Sequence, residues 1–151
     1  MPCCPLRGLR SRHGCKRVNR PSYVRGAIIL VQSFPLGERV IGLEFRAGGP
    51  SATWAEFFPG PDCIAAAIKT IRNSRIDVRP RSGFAVGNVR RVKDICLADK
   101  EKYKVRVIHE PEANNTAHAA LRGWPRDNDP LLELLAEDAW AETILNKDIP
   151  A

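Results

Sequence analysis

Between Arg75 and His109 the apolar period of the chain changes twice, and this constrains the fold more than any other feature. RIDVR (75–79) is a short β-type run stopped by Pro80, because the residue before a proline is pushed toward extended backbone. Ser82-Gly83 then leads into a segment where Val89, Val92 and Cys96 recur at helical spacing, which predicts a helix over 84–98. Gly87 is the weak point of that helix, at a cost of about 1 kcal/mol against alanine. In YKVRVIH (103–109), Tyr103, Val105 and Val107 alternate with Lys104, Arg106 and Ile108, the pattern of a strand. Strand, helix and strand over this length read as one βαβ unit, with parallel strands and a right-handed crossover.

The flanking segments complete an α+β reading. YVRGAIILVQS (23–33) is rich in β-branched residues, and RVIGLEFRA (39–47) sets Leu43 and Phe45 against Glu44 and Arg46. FPLGE between them is of hairpin length, and RAGGPS turns into ATWAEFF (52–58), so the three runs are expected as an antiparallel meander. Pro59-Gly60-Pro61-Asp62 ends the third strand and opens a helix in which Ile64, Ala67, Ile68 and Ile71 share a face. Near the end, Asp129 caps and Pro130 opens an acidic amphipathic helix expected over 130–146. Its stripe is Leu132, Leu135, Ala136, Ala139, Trp140, Thr143 and Ile144, with Glu133, Glu137 and Glu142 off it. Trp124-Pro125 is expected to anchor it. The expected organisation is one α+β domain over 22–151 behind a disordered basic tail, 1–21.

Charge looks informative until it is located. The net charge is +7, yet residues 1–26 carry seven basic side chains and no acid, which leaves 17 basic against 17 acidic residues beyond them. From Asp127 onward there are seven acids and only Lys147 as a base. The high isoelectric point is therefore no sign of a basic face on the folded part. In the tail, Cys3, Cys4, His13 and Cys15 are poorly spaced for zinc, since adjacent cysteines seldom both reach one tetrahedral ion. The prolines and glycines there break the amphipathic helix of a transit peptide. A flexible arm binding nucleic acid through 1–26 is a further reading, with Tyr23 at its edge as the one stacking partner. Cys63 and Cys96 fall on apolar helix faces as small hydrophobes, and an odd total of five cysteines argues against a disulfide framework. With no apolar run near the roughly 20 residues of a membrane helix, and no secretory h-region, the expectation is a soluble cytoplasmic protein without membrane contact.

Candidate chemistry follows from the βαβ reading. Ligands bind at the carboxyl ends of strands in open α/β sheets, and that rule brings two loops together. The first offers Arg79, Arg81, Ser82 and Gly83 before a helix N-terminus, an arrangement suited to an anion. The second, in VRVIHEPEANNTAHAALRG (105–123), offers His109, Glu110 and His118 for proton transfer, with Asn114 and Asn115 as ligand contacts. The plainer reading makes Asn114 or Asn115 the cap of a short Ala-rich helix that Gly123 ends. A three-ligand metal site from His109, His118 and Glu110 or Glu112 lacks a close histidine pair, so neither metal nor cofactor is expected. There is no G-x-S-x-G elbow, Walker loop or dinucleotide fingerprint, and Ser82 meets His109 only if the fold brings it there. The favoured expectation is an accessory or regulatory protein working through protein contacts, or a homodimer, by way of helix 130–146. The alternatives are a small enzyme or anion-ligand-binding protein using loops 79–83 and 109–118, and nucleic-acid binding through the tail. Whether the chain is an enzyme stays open at this level.

Overall fold

The computed structural model describes residues 23–33, 51–140 and 142–151. The basic tail with its cysteines and the expected strand 39–47 lie outside these residues. Six strands are described: β1 (Ala27–Ser33), β2 (Ser51–Trp54), β3 (Ser82–Asn88), β4 (Arg106–His109), β5 (His118–Arg122) and β6 (Glu142–Leu145). They form one sheet in the order β4-β5-β2-β1-β3-β6, and every neighbouring pair is antiparallel. Three α-helices accompany them, α1 (Cys63–Arg72), α2 (Val89–Ala98) and α3 (Asp129–Asp138), so the fold is α+β.

β3 organises both layers. Its sequence SGFAVGN is buried at six of seven positions and pairs with β1 on one edge and β6 on the other. Because strand side chains alternate between faces, Phe84 and Val86 join Ile29, Ala55, Ala67, Ile68 and Ile71 under α1. Ala85 joins the larger cluster on the opposite face, with Ile28, Ala52, Val92, Leu132, Leu135 and Trp140 from the α2–α3 side. Gly87 belongs to that second face, and the Trp140 indole lies against it. A Cβ there would stand 2.5 Å from the indole nitrogen. The residue that weakens a helix is thus the one the strand requires.

Two expectations in this region are corrected. The helix does not begin at 84: it starts at Val89, where Asn88 Oδ1 accepts from the Arg91 backbone N–H at 3.1 Å. Residues 75–79 are not a strand but part of an irregular connection. Its turns are closed by local bonds, with Ser82 Oγ accepting from Arg79 N and Ser74 Oγ from Ile76 N. The βαβ unit expected over 75–109 is therefore not present as drawn. Four antiparallel steps make β3 and β4 parallel, but β1, β2 and β5 stand between them. On α2 itself, Val89, Val92, Ile95 and Cys96 are buried. Burial, reinforced by nearby Asp99, pushes the Cys96 thiol up to about 12, so it stays neutral and packs as a hydrophobe.

The expected meander is also altered. β1 pairs directly with β2 (Ile28↔Trp54, Ile29↔Thr53), and the strand expected over 52–58 ends at Trp54, where Ala55–Phe57 forms a 3-10 turn. α1 forms with Ala67, Ile68 and Ile71 buried, the face its spacing predicts. Beyond it, the Arg72 guanidinium donates to Asn146 Oδ1 and to the carbonyls of Asn146, Ile149 and Pro150, which ties the end of the chain to α1.

The terminal helix is shorter than 130–146. Asn128, not Asp129, caps it, accepting from Leu131 N at 3.2 Å. Leu131, Leu132, Leu135 and Ala136 are buried, and the helix stops at Asp138. Trp140 then turns into the core beside Trp124, at 5.7 Å between ring centroids. Thr143 and Ile144, read as the last turn of the apolar stripe, pair instead with Ala85 and Phe84. β-branched residues suit that pleated surface. Among the described residues no helix is long and apolar enough to cross a membrane. Gly87→Ala is expected to destabilise the protein by about 1–3 kcal/mol, the cost of overpacking a filled core. Urea unfolding monitored by tryptophan fluorescence measures the loss.

Candidate functional site

The hairpin joining β4 and β5 builds the site. Glu112 and Asn115 bridge across the two-residue turn Ala113-Asn114, and the chain returns as β5, so 114–123 is not the expected Ala-rich helix. Tertiary pairing overrides alanine's helical preference here. Ala119 and Leu121 are small or apolar enough to enter the core on one face, while β5 gains β4 on one edge and β2 on the other. The other face of β5 presents His118, Ala120 and Arg122.

On that face His118 meets a residue the sequence did not single out. Ser51 pairs with Ala120 and Thr53 with His118, so Ser51 is the diagonal neighbour of His118 across β2 and β5. Ser51 Oγ lies 2.6 Å from His118 Nε2. His118 Nδ1 lies 2.8 Å from the Glu110 carbonyl oxygen. A carbonyl only accepts, so Nδ1 carries the proton of the neutral ring, and Nε2 is left to accept from the Ser51 hydroxyl. The buried Asn115 donates to Thr53 Oγ1 at 2.8 Å and accepts from Ala117 N at 3.1 Å, fixing the return of the hairpin.

Two charged pairs frame this histidine. Arg122 grips both oxygens of the Glu110 carboxylate, at 2.9 and 3.1 Å. Glu112 lies 3.5 Å from Arg75 and 3.8 Å from His118 Nε2. The second separation is too long for a hydrogen bond. The His118 side chain is only 13% exposed. Ser51, Glu110, His118, Ala120, Arg122 and Arg126 line a cavity of about 280 Å³. Ala120 is small enough to leave it open.

The other expected site residues are dispersed. His109 pairs with Ala119, the neighbour of His118, so the two imidazoles point to opposite faces of the sheet and cannot share an ion. His109 Nε2 donates to the Thr116 carbonyl at 2.7 Å, and its ring sits 5.6 Å from Trp54 and 5.3 Å from Phe57. Arg79 pairs with Asp77 at 2.9 Å, Arg81 is exposed, and Ser82 and Gly83 begin β3. They stand at the amino end of β3 and His109 at the carboxyl end of the parallel β4, so loops 79–83 and 109–118 are not brought together. Asn114 occupies the hairpin turn, exposed. Among the described residues no group of three or more histidine, cysteine or acidic side chains is placed to hold a metal ion.

Comparisons with protein-family models, with curated proteins and with solved structures give no match to this chain. One signal for Ser51 did exist. Reading HAALR with period two puts His118 and Arg122 on one face, opposite the polar positions of SATW. Long-range proton–nitrogen correlation spectra at neutral pH are expected to show His118 as the Nδ1–H tautomer. An Nε2–H tautomer would mean that His118 donates to Ser51 instead of accepting from it.

Proposed function

We propose that this chain is a small hydrolase of anionic esters, with Ser51 as nucleophile and His118 as its general base. The observation that carries this reading is the 2.6 Å Ser51–His118 contact, on a ring whose other nitrogen is fixed by the Glu110 carbonyl. Nucleophile, base and orienting group within hydrogen-bond reach are the arrangement that activates a serine for acyl transfer. As Ser51 Oγ bonds to the ester carbonyl carbon, its proton passes to His118 Nε2. Glu112, 3.8 Å away, stabilises the imidazolium so formed. His118 then returns the proton to the leaving oxygen as the ester bond breaks. A water molecule, activated by the same nitrogen, frees the acyl group and restores Ser51.

Arg122 is compensated by Glu110, so Arg126 leaves the cavity lining net positive, which favours a substrate carrying a carboxylate or phosphate. The volume, about 280 Å³, lies just below the usual range for small-molecule sites and so favours a small substrate. This retains one half of the enzyme alternative drawn from the sequence: Glu110 and His118 take part, whereas loop 79–83 does not. A role through protein contacts at 130–146 has less support, because the apolar residues of α3 are turned into the core, with Leu134 the exception.

Hydrolysis of a carboxylate-bearing 4-nitrophenyl ester, compared with its neutral analogue, tests the proposal. Ser51→Ala is expected to abolish turnover, and His118→Ala to lower kcat by about 100-fold, the usual scale of general-base catalysis. Arg126→Ala is expected to raise KM for the anionic ester and to leave the neutral analogue unchanged. Turnover that survives in Ser51→Ala would contradict the reading.

A further inference from the structure

The segment that leads into β1 borders a second cavity, of about 580 Å³, against the start of α2. Val24 and Val89, both buried, form its apolar floor. Arg25, Arg90 and Lys93 stand around it, and Tyr23, 53% exposed, forms part of the wall. Among the described lining residues the acid is Asp94, 3.7 Å from Arg90, and the Glu56 carboxylate lies against Gly26, so three cations still outnumber two carboxylates.

Main-chain bonds hold these groups in place. Tyr23 bridges Ile108 on the outer edge of β4, and Val24 N donates to the Val107 carbonyl at 3.0 Å. The Arg25 carbonyl accepts from Trp54 Nε1 at 2.9 Å, and the Gly26 carbonyl from Val89 N at 2.9 Å. Gly26 has φ +76°, and a Cβ there would collide with the Glu56 carboxylate, so the turn presenting Arg25 demands glycine. The site therefore needs little ordering when a ligand arrives, which favours binding.

The covalent neighbourhood identifies the ligand class. Residues 1–22, which precede Tyr23 in the sequence, carry six basic side chains and no acid, so a strongly cationic stretch of chain is covalently joined to the residue that forms part of the cavity wall. A ligand that matches both must be a polyanion longer than the cavity. The exposed phenol ring adds a stacking face, which the bases of a single strand supply and those of a duplex keep to themselves. We infer that this cavity is a binding site for single-stranded nucleic acid, with phosphates on Arg25, Arg90 and Lys93 and a base on Tyr23. It is separate from Ser51 and His118 and does not depend on the esterase reading.

Fluorescence anisotropy of the full chain with a short labelled single strand, over a series of salt concentrations, tests this. Joint replacement of Arg25, Arg90 and Lys93 by glutamine is expected to reduce the slope of log affinity against log salt by about 2, at about 0.7 per lost phosphate contact. Tyr23→Ala is expected to weaken binding about five-fold or more with the slope unchanged, the scale of one stacked base. All four side chains are on the surface, so thermal melting confirms that the variants stay folded. Binding by both variants equal to that of the unaltered chain would overturn the inference, because residues 1–22 alone would then account for it. So would the absence of binding at low salt, or equal affinity for a duplex or for polyglutamate.

Discussion

β3 is paired along both edges and buried on both faces, and the rest of the described structure follows from satisfying it. A strand in that position needs a layer above and a layer below. α1 supplies one through Ile68 and Ile71, and α2 with α3 supplies the other through Val92, Leu132 and Leu135. The seal on the second face is Trp140 against Gly87, where no larger residue fits. The chain must leave α3 at Asp138 to deliver that indole, and it then returns as β6 along the free edge of β3.

The same arrangement leaves room for chemistry. The cluster beneath α1 is drawn from β1, β3 and the turn after β2, and it takes no buried residue from β4 or β5. Polar side chains can therefore stand on that part of the sheet without being buried unpaired. His118 is held on both ring nitrogens, Glu110 is gripped by Arg122, and the Ala120 side chain leaves a cavity between them. Such a grouping comes from side-chain alternation in two adjacent short strands, not from a loop motif.

Much of the fold was legible in residue spacing, and the failures have physical causes. α1 and the buried face of α2 are read correctly because tertiary packing agrees with their periodicity. The first strand is legible as well, in its run of β-branched residues. β3 is hard to read from sequence because SGFAVGN is short and mostly small in its side chains, so it shows no clear period, and its two-sided burial depends on partners distant in sequence. The stripe ending in Thr143 and Ile144 keeps helical spacing across a change of backbone, so periodicity alone extends α3 too far. At the site, the residue types of 109–118 point to His118, but a helical reading of 114–123 leaves no link to Ser51. Once 118–122 is a strand, register places Ser51 beside His118, and His109 is removed to the other face. Loop 79–83 was joined to 109–118 only through a strand at 75–79 that does not form.

The most direct measurement is the site of modification by a fluorophosphonate, mapped by peptide mass spectrometry on the folded chain. Activation of Ser51 by His118 predicts a phosphonyl adduct on Ser51 that disappears in His118→Ala. A folded chain that carries no adduct on Ser51, or one labelled equally well without His118, would contradict it.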